Sequence, residues 1–113
     1  QHFDQRKYDE VIKTCAALAG TKYEQQATEL AAKAVEQAAV DLRKQAASLY
    51  LKARRERDVD LRNSYLQDSL ALLQEVESKY PQATIIAKVK RNIAVLEKEI
   101  EGLAINASSA GGN

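Results

Sequence analysis

At 113 residues, 45% of them hydrophobic and 29% charged, the chain has room for one domain with one modest core. Its 17 basic and 16 acidic residues are interspersed and leave a formal net charge of +1, so no global field draws in nucleic acid or an anionic membrane. Four glycines and one proline, against abundant Ala, Leu, Lys, Glu and Gln, leave long stretches free of helix breakers and predict an all-α fold. No apolar run approaches the roughly 18 to 20 residues that a membrane span requires, and the start of the chain lacks the basic-then-apolar layout of a signal peptide. The absence of methionine points to a processed or excised piece of a longer chain. The single cysteine, Cys15, cannot form an internal disulfide and fits either a reducing or an oxidising compartment.

Apolar spacing predicts four helices. In the first, Tyr8, Val11, Ile12, Cys15, Leu18 and Ala19 recur at intervals of three and four, and Gly20 with Thr21 closes it. The second is long. Its stripe of Ala27, Ala31, Ala34, Val35, Ala38, Leu42, Ala46, Leu49 and Ala53 runs from about Glu24 to about Arg57, as one helix or as two collinear ones meeting near Val40 and Asp41. Val40, Ala47 and Leu51 fall on a different side of this helix, and Tyr50 extends the edge of the stripe.

Asp58 and Asp60 offer two N-caps for a third helix, whose stripe holds Leu61, Tyr65, Ser69, Leu72, Val76 and Tyr80. Leu66, Leu70 and Leu73 widen that stripe beyond what one neighbour would cover, so this helix is expected to pack on two sides. The fourth helix follows Pro81 and carries a narrow, one-sided seam of Ile86, Val89, Ile93, Leu96, Ile100 and Leu103. Residues 1–104 thus read as a single helical domain, and the small, polar and glycine-rich segment 105–113 as a disordered tail.

Pro81 disfavours helix in the residue before it and suits the first turn of the next one, which makes Tyr80-Pro81 the corner of an antiparallel hairpin, with the Tyr80 ring closing its base. Sliding the chain along itself by 57 residues lays Tyr8 on Tyr65, Lys22 on Lys79, Tyr23 on Tyr80 and Gln25 on Gln82, which points to an internal repeat.

The run "YLQDSLALLQEVESKYPQATIIAKVKRNIAVL" resembles the tetratricopeptide repeats of bacterial envelope proteins, such as outer-membrane assembly lipoproteins and the Tol-Pal coordinator. Leu72, Leu73, Val76, Tyr80, Pro81 and Ala87 match that pattern, over residues 62–100 more fully than over 5–36. Glu24 stands where the first copy would have proline, and Ala83 where the family often has a capping serine. The resemblance implies tetratricopeptide-like helical hairpins acting as a non-catalytic protein-protein interaction module or scaffold, in or near the periplasm or outer membrane. Its partner would be another protein or a peptide. The alternative is structural self-association, in which the seam of the last helix or the spare face of the second forms a homodimer.

Candidate sites are few. Tyr50 and Leu51, facing Leu66 and Leu70 across an antiparallel turn, either complete the packing of these two helices or form a candidate apolar partner-binding patch with Arg54 and Arg55 as its polar rim. The basic run at 52–62 is accounted for by a helix C-terminus followed by N-cap aspartates, and "KVKR" at 88–91 by a solvated helix face, so no nucleic-acid binding is expected. The only histidine, His2, lies at the terminus, and Cys15 shares a stripe with Ile12 and Leu18 that favours an inert, buried thiol. No catalytic, metal-binding or cofactor-binding residue is assigned, and the Asn106-Ala107-Ser108 glycosylation triplet lies in the tail.

Overall fold

The computed structural model describes residues 5–111, and side chains for residues 5–105; His2 and the glycosylation triplet's side chains lie outside the described set. Four helices follow one another, α1 (Gln5–Ala16), α2 (Glu24–Arg55), α3 (Val59–Lys79) and α4 (Ile86–Gly111), and no strand occurs among the described residues. The fold is all-α. The 32 residues of α2 form one uninterrupted helix about 48 Å long at 1.5 Å per residue, so of the two arrangements considered, one helix or two collinear ones, it is the first.

Each helix packs on the next in sequence: α1 on α2, α2 on α3, and α3 on α4. Both α1 and α3 run antiparallel to α2, and they lie end to end along it, with the C-terminal end of α3 meeting the N-terminal end of α1 at Asp9. This layout spreads the chain into a slab of 69 × 25 × 16 Å with a radius of gyration of 18.0 Å. A compact domain of about 100 residues would have a radius near 13 Å.

The core explains the close approach of α2 and α3. Ala38, Ala39, Ala46 and Ala53 on α2 are at most 1% exposed, as is Ser69 on α3. Small side chains bring the two backbones close enough for the Ser69 hydroxyl to donate to the Ala46 carbonyl at 2.7 Å. Leu66, Leu73 and Val76 fill the α2–α3 contact from the other helix, and Val89, Ile93 and Leu96 attach α4. The broad arc of α3 therefore packs on two neighbours, as its leucines predicted.

Three junctions differ from the sequence reading. The first helix ends at Ala16, short of the expected Ala19, because Leu18 and Ala19 donate to Cys15 and Ala16 in tight i to i+3 turns that wind toward Gly20, whose φ is 81°. Pro81 does not open α4. The Ala83 amide donates to the Tyr80 carbonyl and the Ile86 amide to Ala83, so residues 80–85 form a turn pinned by the buried Ala83, and the helix starts at Ile86. At the other end, the expected disordered tail is helical through Gly111, since no proline or glycine interrupts the segment after Gly102 until that point.

The 57-residue offset does place both tyrosines at helix junctions, but in unlike surroundings. Tyr23 precedes α2 and is 49% exposed, whereas Tyr80 ends α3 and is 2% exposed.

Between α2 and α3, Asp58 is the N-cap, accepting from the amides of Asp60 at 2.9 Å and Leu61 at 3.2 Å. Arg62 donates from Nε and a terminal nitrogen to the Glu56 carbonyl, closing the end of α2. The charges of residues 52–62 are thus used, in part, to build this corner.

Candidate functional site

Helices α2 and α4 run parallel on the same side of α3, and hydrogen bonds between side chains link them. Three rungs cross from one to the other. Glu36 accepts from the Thr84 amide (2.9 and 3.0 Å) and hydroxyl (2.8 Å), Arg43 Nε donates to Asn92 Oδ1 at 3.0 Å, and the Tyr50 hydroxyl donates to Glu99 Oε1 at 2.8 Å. On α2 the rungs stand seven residues apart, which is two helical turns and keeps them on one face.

Between the rungs lies a groove of about 300 Å³. Ser69 and Leu73 of α3 form its floor, Val40, Ala46, Ala47 and Tyr50 one wall, and Ile85, Val95 and Leu96 the other. Val95 is 48% exposed, an aliphatic side chain with one side left to solvent. Arg43 and Lys44 are the charged groups in a lining that is otherwise neutral. From Val40 to Tyr50 the α2 wall is about 15 Å long, three helical turns.

At one end of the groove, Arg54 donates to the Tyr50 hydroxyl at 3.1 Å, lies over its ring, and pairs loosely with Glu99 at 3.9 Å. The hydrogen bond to Tyr50 raises the guanidinium above its ordinary pKa, with the Tyr50 and Glu99 charges acting in the same direction. This group is exposed, so its contribution to stability is small.

The residues singled out by sequence do not form one patch. Tyr50 lines the groove, but it faces α4 and not α3. Leu51 is 52% exposed, one turn beyond Ala47 on the same side of α2. Leu66 is 2% exposed and belongs to the core, and Leu70 is half-buried against that core. Arg54 is engaged as described, and Arg55 is exposed. Ser69 sits opposite Ala46, so Leu66 completes the packing of α2 on α3, the alternative weighed for it, and takes no part in an exposed patch.

Sequence reasoning missed Arg43, Lys44, Ile85, Asn92 and Val95. One signal was present: Val40 and Ala47 stand seven residues apart off the main stripe, and so do Glu36, Arg43 and Tyr50. Elsewhere, Cys15 is 8% exposed and lies beside Ile12, Ala27 and Ala31 in a shallow cleft between α1 and α2. Among the described residues, no group of His, Cys, Asp or Glu is placed to hold a metal ion, and no helix is long and apolar enough to cross a membrane. Comparison with known proteins finds no matching family model, curated protein or solved structure.

Proposed function

We propose that this chain is a non-catalytic protein-interaction module of tetratricopeptide-like helical hairpins, and that the α2–α4 groove is where a partner docks. The observation that carries this reading is the groove itself. Two parallel helices are linked across a third by side-chain rungs, which leaves an apolar trough three turns long with Val95 half exposed in its wall. Clefts between helices, mostly apolar with a few convergent polar groups, are where helical proteins take their ligands. The resemblance of residues 62–100 to envelope repeats supports the same reading and suggests the bacterial envelope as its setting.

A groove-filling substitution tests it. Ala47 is exposed and lines the trough, so Ala47→Trp fills the space with little demand on the core. Selection of displayed random peptides on the wild-type chain is expected to yield sequences that bind it and lose binding to A47W. If no peptide is selected, or if every selected peptide binds both chains alike, the groove is not the docking site.

A further inference from the structure

The charges of the groove indicate what occupies it, an argument that rests on the docking reading above. Arg43 is part-buried and uses Nε to reach Asn92, while its two terminal nitrogens have no hydrogen-bond or ionic partner among the described residues. Lys44 beside it, and Lys88 one turn before Asn92 on α4, are likewise without an ionic partner among the described residues. Glu36, Asp41 and Glu99 outside the lining turn to Thr84, to Tyr8 and Gln37, and to Tyr50 and Arg54, and none of the three pairs with Arg43 or Lys44. The trough is therefore apolar along its length, and the charged side chains that line it, Arg43 and Lys44, are both basic.

We propose that the groove takes an acidic amphipathic helix from a partner protein, about three turns long, with its apolar face on Val40, Ala47 and Val95 and a carboxylate on Arg43. Asn92 offers Arg43 one neutral oxygen; a carboxylate accepts from the guanidinium in a charge-assisted and often bidentate manner, and is the stronger partner. A helix suits the shape, because two parallel helices over a third leave the position that a fourth helix fills in a bundle. The groove's length admits apolar anchors at i, i+3 or i+4, and i+7.

The test uses two labelled synthetic peptides of about fourteen residues with leucine at those anchor positions, one with glutamate and one with lysine elsewhere. Fluorescence anisotropy against the wild-type chain is expected to show saturable binding of the glutamate peptide, weakened by salt, and little binding of the lysine peptide. Arg43→Glu combined with Lys44→Glu, both on the solvent-accessible rim, is expected to weaken the glutamate peptide by about tenfold or more. Circular dichroism of each variant confirms that the helices are retained, and Arg43→Gln, which keeps side-chain bulk, serves if the double variant does not fold. Equal or tighter binding of the lysine peptide to wild type, or a glutamate peptide indifferent to these substitutions, overturns the proposal. If that lysine peptide is also lost on A47W, the groove stands as a docking site and only its acidic occupant is wrong; if neither peptide senses A47W, both readings fail. A dimer by light scattering that A47W dissolves would make a second copy the occupant, and would likewise overturn it.

Discussion

The Tyr80 hydroxyl donates to Asp9 Oδ1 at 2.8 Å, joining residues 71 positions apart where the end of α3 meets the start of α1. Lys79 reinforces the junction from 3.6 Å and also pairs with Glu75 one turn back. The Tyr80 ring is 2% exposed and packs in the main core, so one side chain both fills space and fixes the position of the shortest helix.

Two substitutions separate those roles. Tyr80→Phe keeps the ring and removes the bond to Asp9, and a loss of about 1 to 2 kcal/mol in urea unfolding is expected. Tyr80→Ala adds a cavity, and its cost is expected to reach about 3 to 5 kcal/mol. Equal stability of Tyr80→Phe and the wild type would mean that the hydroxyl contributes nothing to holding α1.

Alkaline pH is expected to weaken the fold through two tyrosines. Burial, helped by the Asp41 carboxylate that accepts from its hydroxyl, pushes Tyr8 from 10.0 up to about 12, and burial with Asp9 raises Tyr80 further. The fold thus favours the protonated phenols. The stabilisation is fully present below pH 10, where the unfolded tyrosines begin to ionise, and for Tyr8 it is lost as the pH rises from 10 to about 12. Lysines titrate in the same window, so the measurement is the difference between the wild type and Tyr8→Phe: the variant's urea midpoint should fall less steeply above pH 10. Parallel slopes would show that Asp41 and burial do not hold the proton.

Leu51 and Leu66 look alike in composition and belong to different environments. Leu66 is 2% exposed between α2 and α3, and replacing it with serine is expected to cost about 3 kcal/mol or more. Leu51 is 52% exposed, and Leu51→Ser is expected to change stability by less than about 0.5 kcal/mol. Similar thermal midpoints for the two variants would show that the inward placement of Leu66 is wrong.

That pair also marks how far the sequence was legible. Four helices, the two-sided packing of α3, the Asp58 cap and the buried Tyr80 follow from period, capping chemistry and one proline, which are local signals. The groove depends on α2 and α4, which are not consecutive and meet only through long side chains, so no local period announces their contact. The sequence left Leu66 open between core and surface for a related reason. A wide apolar arc shows that two sides are covered, but not which leucine faces the junction of three helices.

The start of α4 carries a similar non-local device. Its first turn has no acidic residue, and Ile85, the residue just before it, has no capping side chain. Glu36 reaches this end from α2: its carboxylate accepts the Thr84 amide and hydroxyl, pinning the turn two residues before α4, and puts negative charge near the positive end of the α4 dipole. Charge-assisted hydrogen bonds to the turn and a favourable charge at the helix start together contribute about 1 to 2 kcal/mol, so Glu36→Ala is expected to lose that amount, while Glu36→Gln, which keeps an acceptor without the charge, loses less. The loss should also be local. Amide exchange is expected to quicken from Thr84 through Val89 in Glu36→Ala while the protection of Ala38 and Leu42, deep in α2, falls only with global stability. If both segments lose protection in step, Glu36 acts on the whole fold and not on the start of α4.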